Sequence, residues 1–287
     1  MPKRKSLSGD NAMDGVDDAD DSGEDFDVVD VDFEWFDPDS EIDFEGIKSL
    51  LKQLFDLDAH QFDLSALTDL ILGQPLLGST VKVDGKETDA YAFLSVLNLR
   101  EHKDKPCIMN LVQYLQARAN SNPSLSGLSK VLSDPSATVG LILTERLINC
   151  PIEVIPPMYT MLQEEIQWAL EQNEPYQFSH YVVLSKTYTE VNSKLDEEDS
   201  GPSSKKKKKA NGAAAVVFPF HEEDEILQQY SLCHGGYDYI TPADDGASDS
   251  KRAFQEAGIR PRSHAILLEA GRLAVATSRM AQTFAAD

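Results

Sequence analysis

The sequence is poor in cysteine. It has three in 287 residues (Cys107, Cys150 and Cys233), an odd number with no CxxC spacing. That excludes a disulfide-stapled scaffold and points to free thiols in a reducing compartment. No apolar run approaches the roughly eighteen residues a spanning helix needs, so no membrane partner is expected. Met1-Pro2-Lys3-Arg4-Lys5-Ser6 is basic but has no apolar stretch behind it, and does not read as a signal peptide. A soluble intracellular chain is expected. Catalytic signatures are missing too: there is no GxxxxGK(S/T) phosphate loop, no GxSxG nucleophile elbow and no HExxH. The six histidines are scattered without ligand spacing, so neither a metal nor another cofactor is expected.

Positive charge is absent from one whole stretch. Between Ser6 and Glu45 there are seventeen Asp or Glu and no Lys or Arg. The densest part carries Asp14, Asp17, Asp18, Asp20, Asp21, Glu24, Asp25 and Asp27. Self-repulsion and scarce apolar content predict a disordered acidic tail over residues 1–27. Such a tail is repelled by a phosphate backbone, but it can hold a strongly basic protein and shield it from nucleic acid. Two readings stay open: those eight acids bind a basic client, or they only keep the protein soluble. Residues 46–287 hold thirty-two acids against twenty-three bases, a net charge of −9. That implies no basic face and argues against direct nucleic-acid binding.

Beyond the tail the patterning is globular. Val29, Val31, Phe33 and Trp35 alternate with acids, as in an extended segment that adds to a sheet edge or in the domain's own first strand. Ile47, Leu50, Leu51, Leu54 and Phe55 share one helical face. Asp63 reads as the N-cap of a helix bearing Leu64, Leu67, Leu70 and Ile71. Ser79–Val83 reads as a strand ending in an Asp84-Gly85 turn, and Tyr91–Leu99 as a strand buried on both faces. Helices come next through Ile108–Leu115 and Leu125–Leu132, then a buried strand at Val139–Leu143. A long helical segment opens at Pro151 and runs through Met158, Met161, Leu162, Ile166 and Leu170, broken or restarted by Pro156-Pro157 with Pro157 at a first helical position. Strands at Tyr181–Leu184 and Ile266–Leu268, and helices through Ile226–Tyr230 and Leu273–Phe284, complete the pattern. Strands alternating with helices at this spacing predict an α/β domain with layered αβα architecture and a mixed central sheet, over residues 28–287. Residues 192–214 read as a flexible insertion and 241–250 as a polar loop.

The insertion carries Lys205, Lys206, Lys207, Lys208 and Lys209. An import receptor, RNA or an anionic membrane could read such a run, and so could the acidic tail; import is the better functional reading, because the chain offers no wider basic field. His234-Gly235-Gly236 is read as a tight turn rather than an oxyanion loop, since no elbow serine exists for it to serve. Glu164-Glu165 reads as the solvated face of a helix. The Thr144-Glu145-Arg146 run at the end of a buried strand is either exposed in a cleft at the sheet's carboxyl edge or a Glu–Arg bridge that fixes a turn.

The stretch TVGLILTERLINCPIEVIPPMY, ending at Tyr159, resembles the BCCIP family, whose fungal members are Bcp-type proteins. Gly46–Phe55, Leu67–Ile71, Gly78–Val81, Phe93–Leu99 and Val183–Tyr188 resemble it in the same order, as does the lysine-rich insertion before Phe218–Glu225. The likeness runs from about Asp30 to Tyr239, and Gly258–Leu268 departs most from the animal pattern. The resemblance implies a non-enzymatic acidic chaperone or adaptor that shuttles between nucleus and cytoplasm. Fungal members are associated with nuclear export of a phosphoinositide kinase, hence with nuclear transport receptors, and with escorting a ribosomal protein of the large subunit for ribosome assembly. Animal members are associated with cell-cycle and DNA-repair partners, which leaves a scaffold as one alternative. The implied fold is acetyltransferase-like, which leaves a coenzyme A-dependent acyltransferase as another. Against that stands the missing Q/RxxGxG/A stretch: Gly73, Gly78 and Gly140 have the wrong spacing for it.

Overall fold

The computed structural model describes residues 31–74, 77–190, 216–242 and 259–285. The predicted tail, the lysine run and most of the 241–250 loop lie outside the described residues. The strands are β1 (Phe33–Phe36), β2 (Ser79–Val83), β3 (Ala92–Asn98), β4 (Val139–Arg146), β5 (His180–Glu190), β6 (Val217–Pro219), β7 (Cys233–Tyr237) and β8 (Ile259–Glu269). The helices are α1 (Phe44–Phe55), α2 (Leu64–Leu72), α3 (Pro106–Ser121), α4 (Ser126–Ser133), α5 (Ile155–Glu171), α6 (Glu223–Gln229) and α7 (Ala270–Thr283). One mixed sheet runs in the order β1-β2-β3-β4-β5-β8-β7, and β6 pairs with the far half of β5.

Alternation along the strands divides the core into two layers. Phe93, Leu97, Leu141, Leu143, Val182, Leu184, Ala265 and Leu267 face α1 to α4. Leu94, Val96, Ile142, Tyr181, Val183, Ile266 and Leu268 face α5, α6 and α7. Because both faces are covered, the central strands read as continuous apolar runs. The predicted αβα layering with a mixed central sheet is what forms. Among the described residues no helix is long and apolar enough to cross a membrane.

Local chemistry accounts for the element ends. The predicted face of α1 is buried throughout. Asp63 caps α2, its carboxylate accepting from the Ala66 N–H at 3.0 Å. Asp84 and Gly85 both have positive φ, 62° and 97°, and turn the chain out of β2. Pro156 and Pro157 fall in the first turn of α5, where a missing N–H costs nothing. Asp58 accepts from the Tyr114 hydroxyl at 2.8 Å and from the N–H groups of Ile240 and Thr241 at 2.9 and 2.8 Å. It thereby ties the segment after β7 to α3.

Two expectations are corrected. His234-Gly235-Gly236 is no tight turn: it lies inside β7, paired with Ile266, Ala265 and His264 of β8. The glycines are there for close packing, since a Cβ on Gly235 would lie 3.2 Å from both Asn122 and Ser124. Glu165 is not on a solvated face. It is buried and accepts from the Gly78 N–H at 2.8 Å, while Glu164 is exposed as expected. Of the two readings of the alternating stretch, the domain's own first strand is the one that forms: Phe33–Phe36 lies at one edge of the sheet.

Candidate functional site

Strands β4 and β5 run parallel from Val139↔His180 to Leu143↔Leu184 and then part. Beyond that point β5 pairs with β6 instead, through Thr187–Thr189. A gap between parallel strands at their carboxyl ends is where open α/β sheets place ligands. Here it is filled by the protein's own charges. The Glu145 carboxylate, with its side chain fully buried, meets the Lys186 ammonium at 2.6 Å and His221 Nε2 at 2.8 Å. Lys186 also donates to the Gln53 carbonyl of α1 at 3.1 Å and lies over the Phe220 ring. Arg146 pairs with Glu223 at 3.0 Å, and Ser185 donates to Asp224. Neither reading of Glu145 and Arg146 therefore holds: the two residues form no mutual bridge and line no open cleft, but each turns to a partner far along the chain.

The electrostatics follow from that geometry. Burial would raise the Glu145 pKa, but the His221 bond and the charges of His221 and Lys186 outweigh it and hold the carboxyl down to about 2. Burial would likewise lower His221, yet its bond to Glu145 raises it above its ordinary value. Asp224 is raised, chiefly by burial and then by its neighbour Glu223. The cluster thus binds β4, β5 and α1 to the segment from Phe220 to α6. Closed and internally paired, it acts as a clamp.

Nucleophilic chemistry is not set up in it. Ser185 sits opposite His264 in the β5–β8 register, and Asp224 is adjacent. A triad needs the serine to donate to the histidine and the carboxylate to orient that ring. Ser185 instead donates to the carboxylate, and all three residues are buried. Burial, reinforced by His234 and Arg262, lowers His264 to about 4. Cys107 and Cys150 are buried and Cys233 half-buried. Burial raises all three thiols, Cys150 to about 11, which leaves no activated thiolate. His234 and Cys233 point to opposite faces: Cys233 packs near Gly127, and His234 lies against the His264 ring at 5.4 Å. Among the described residues no group of three His, Cys, Asp or Glu could hold a metal.

The junction between β4 and α5 offers no phosphate cradle of the kind coenzyme A needs. A pyrophosphate needs convergent backbone N–H donors at a helix start. The Leu147–Pro151 turn between β4 and α5 has no glycine, and α5 begins Ile155-Pro156-Pro157, two residues of which lack an N–H. Gly73 follows α2, Gly78 precedes β2 and Gly140 lies within β4, so none of them forms a cradle there.

Residues 28–227 match the family model described as BCCIP. A protein of Emericella nidulans named Protein bcp1 is 60% identical over 286 residues, covering 98% of each chain. The chain belongs to the BCCIP family. The Schizosaccharomyces pombe Protein bcp1 is 49% identical, over 85% of this chain and 86% of its own. The crystal structure of BCP1 from Saccharomyces cerevisiae superposes with a TM-score of 0.61 at 29% identity, over 88% of this chain and 89% of that one. The S. cerevisiae BCP1 shares the mixed α/β fold, and the relatives are named as proteins rather than as enzymes.

Proposed function

We propose that this BCCIP-family member is a non-enzymatic carrier: an acidic chaperone and adaptor that binds a basic client and supports nuclear export and ribosome assembly. The client class suggested by the resemblance is a ribosomal protein of the large subunit. The observation that carries the reading is the one-signed charge of residues 10–45, seventeen acids with no base. Long-range attraction of that kind accelerates encounter with a basic partner and competes with RNA for it. The filled gap at the parting of β4 and β5 supports a binding role over a catalytic one. Nuclear transport receptors are further partners on this reading, one of them addressing the Lys205–Lys209 run, and a phosphoinositide kinase is another. The protein then shuttles between nucleus and cytoplasm.

The test is aggregation of a basic ribosomal protein mixed with RNA, with and without this protein. Protection should fall as salt shortens screening from about 10 Å at 0.1 M to about 3 Å at 1 M. A full-length variant with the acids of residues 10–27 changed to Asn and Gln should associate more slowly, with little change in dissociation. Equal protection by that variant at low salt would reduce the tail to a solubilising appendage.

A further inference from the structure

We propose that the outer edge of β1 is a strand-addition site for an extended basic segment of the client, with Lys or Arg alternating with apolar residues. This rests on the carrier reading above and says how the folded domain contributes to it. β1 ends the sheet, and among the described residues no strand pairs with its outer side. An edge strand presents backbone N–H and C=O groups that a further strand can satisfy, and side-chain contacts on alternate positions then set specificity.

The side chains along this edge select one chemistry. Glu34 faces Lys82 in the β1–β2 register, yet Lys82 does not neutralise it. The Lys82 ammonium turns inward to Asp43 at 2.6 Å, both side chains fully buried. Glu34 is left exposed. Asp32, immediately before β1, is exposed as well. Asp37, immediately after β1, is a further exposed acid.

The other face of β1 is apolar. Phe33 meets the Tyr91 ring edge-on at 5.7 Å. Trp35 is held by its indole N–H to the Val154 carbonyl at 3.1 Å, yet it is 37% exposed. A strand laid along β1 would therefore place apolar residues beside Phe33 and Trp35, and a Lys or Arg beside Glu34. Shortness and charge also guard an edge against indiscriminate pairing. Acids do so while still admitting a basic strand.

The experiment uses the full-length chain and a nine-residue peptide in which lysine alternates with valine and threonine. Hydrogen exchange should slow at Phe33–Phe36 on binding, and a peptide N-methylated at alternate residues should not bind. Glu34→Lys should weaken the lysine peptide by about tenfold, and the matching peptide with glutamate in place of lysine should recover the loss. Absence of binding, unchanged exchange at β1, or equal affinity of the Glu34→Lys variant overturns the proposal. The same titration on the full-length variant with a neutralised tail separates the two ideas. If binding vanishes there and β1 never gains protection, the tail is the client site and strand addition fails, while the carrier reading stands. If β1 is protected but the neutralised tail shields the ribosomal protein fully, strand addition stands and the tail's role falls.

Discussion

Removing Lys186 tests whether the clamp at the parting of β4 and β5 is as closed as its distances imply. Its partner Glu145 is fully buried, and Lys186 is one of two cations beside it. A carboxyl held at about 2 instead of its ordinary 4.5 takes up a proton about 3 kcal/mol less readily. Lys186→Met strips much of that support and leaves a buried carboxylate undercompensated, so it should cost about 3–5 kcal/mol. In a domain of this size that lowers Tm by roughly 6–20 °C. Glu145→Gln should cost a similar amount, and the double variant less than the sum, because neither partner is then left alone. The pH dependence has a definite sign. Glu145 is depressed, so its contribution is present above about 4.5 and lost as pH falls toward 2. His221 is raised, so its contribution is present below its ordinary 6.5 and lost as pH rises through its folded value. The clamp is therefore fully made between about pH 4.5 and 6.5, and in Glu145→Gln the His221 titration, followed by NMR, should move down. Urea unfolding at pH 6 is the assay. Losses below about 1 kcal/mol for both single variants would show that water reaches these ions, and the clamp reasoning would be wrong.

Three other outcomes are expected. Leu51→Ala, at a position with no exposure, should lose about 2–5 kcal/mol in denaturant unfolding; a loss under about 0.5 would place the α1 face at the surface. Burial raises the Glu165 carboxyl to about 7, so its stabilising contribution holds below about 4.5 and is lost as pH rises through 7. Glu165→Gln keeps an acceptor for the Gly78 N–H and should gain about 1–3 kcal/mol at pH 8 with little change at pH 4, as a melting series across pH would read. Changing Lys205–Lys209 to Gln should leave Tm nearly unchanged and reduce nuclear accumulation; undiminished accumulation by microscopy would remove the run from import.

Elements governed by local chemistry were legible from the sequence. The α1 face, the Asp63 cap and the Asp84-Gly85 turn each depend on residues within a few positions. β7 was not, because two glycines in five residues erase the alternation that marks a strand and imitate a turn. Its register comes from β8, some thirty residues later, and its glycines from the close approach of Asn122 and Ser124. Glu165 was misplaced for a related reason. Its position lies on the same helical stripe as Met158, Leu162 and Ala169, but its charge and its neighbour Glu164 imitate a solvated face, and the Gly78 N–H that satisfies it lies far back in the chain. The clamp had one visible clue, charges at the end of an apolar strand. Its partners Lys186 and His221 are brought in by the β4–β5 pairing and by the chain's return along β6, which no sequence spacing encodes. The proposed tail and lysine sites rest on composition, which announces charge without a fold.

The position of β8 has a consequence for how the protein is made. This strand comes last in chain order among the described strands, yet it lies inside the sheet, paired with β5 along eleven residues and with β7 on its other side. Until residues 259–269 emerge, the nascent chain holds β5 with an open flank and β7 with no neighbour, so the sheet cannot close during synthesis. A stop that spared residues 28–227, the whole span matched by the family model, would still remove β7 and β8 and leave β5 without its antiparallel neighbour β8. Loss of β8 is therefore loss of all antiparallel pairing on one flank of β5, and a quality-control system would meet it as an exposed strand edge.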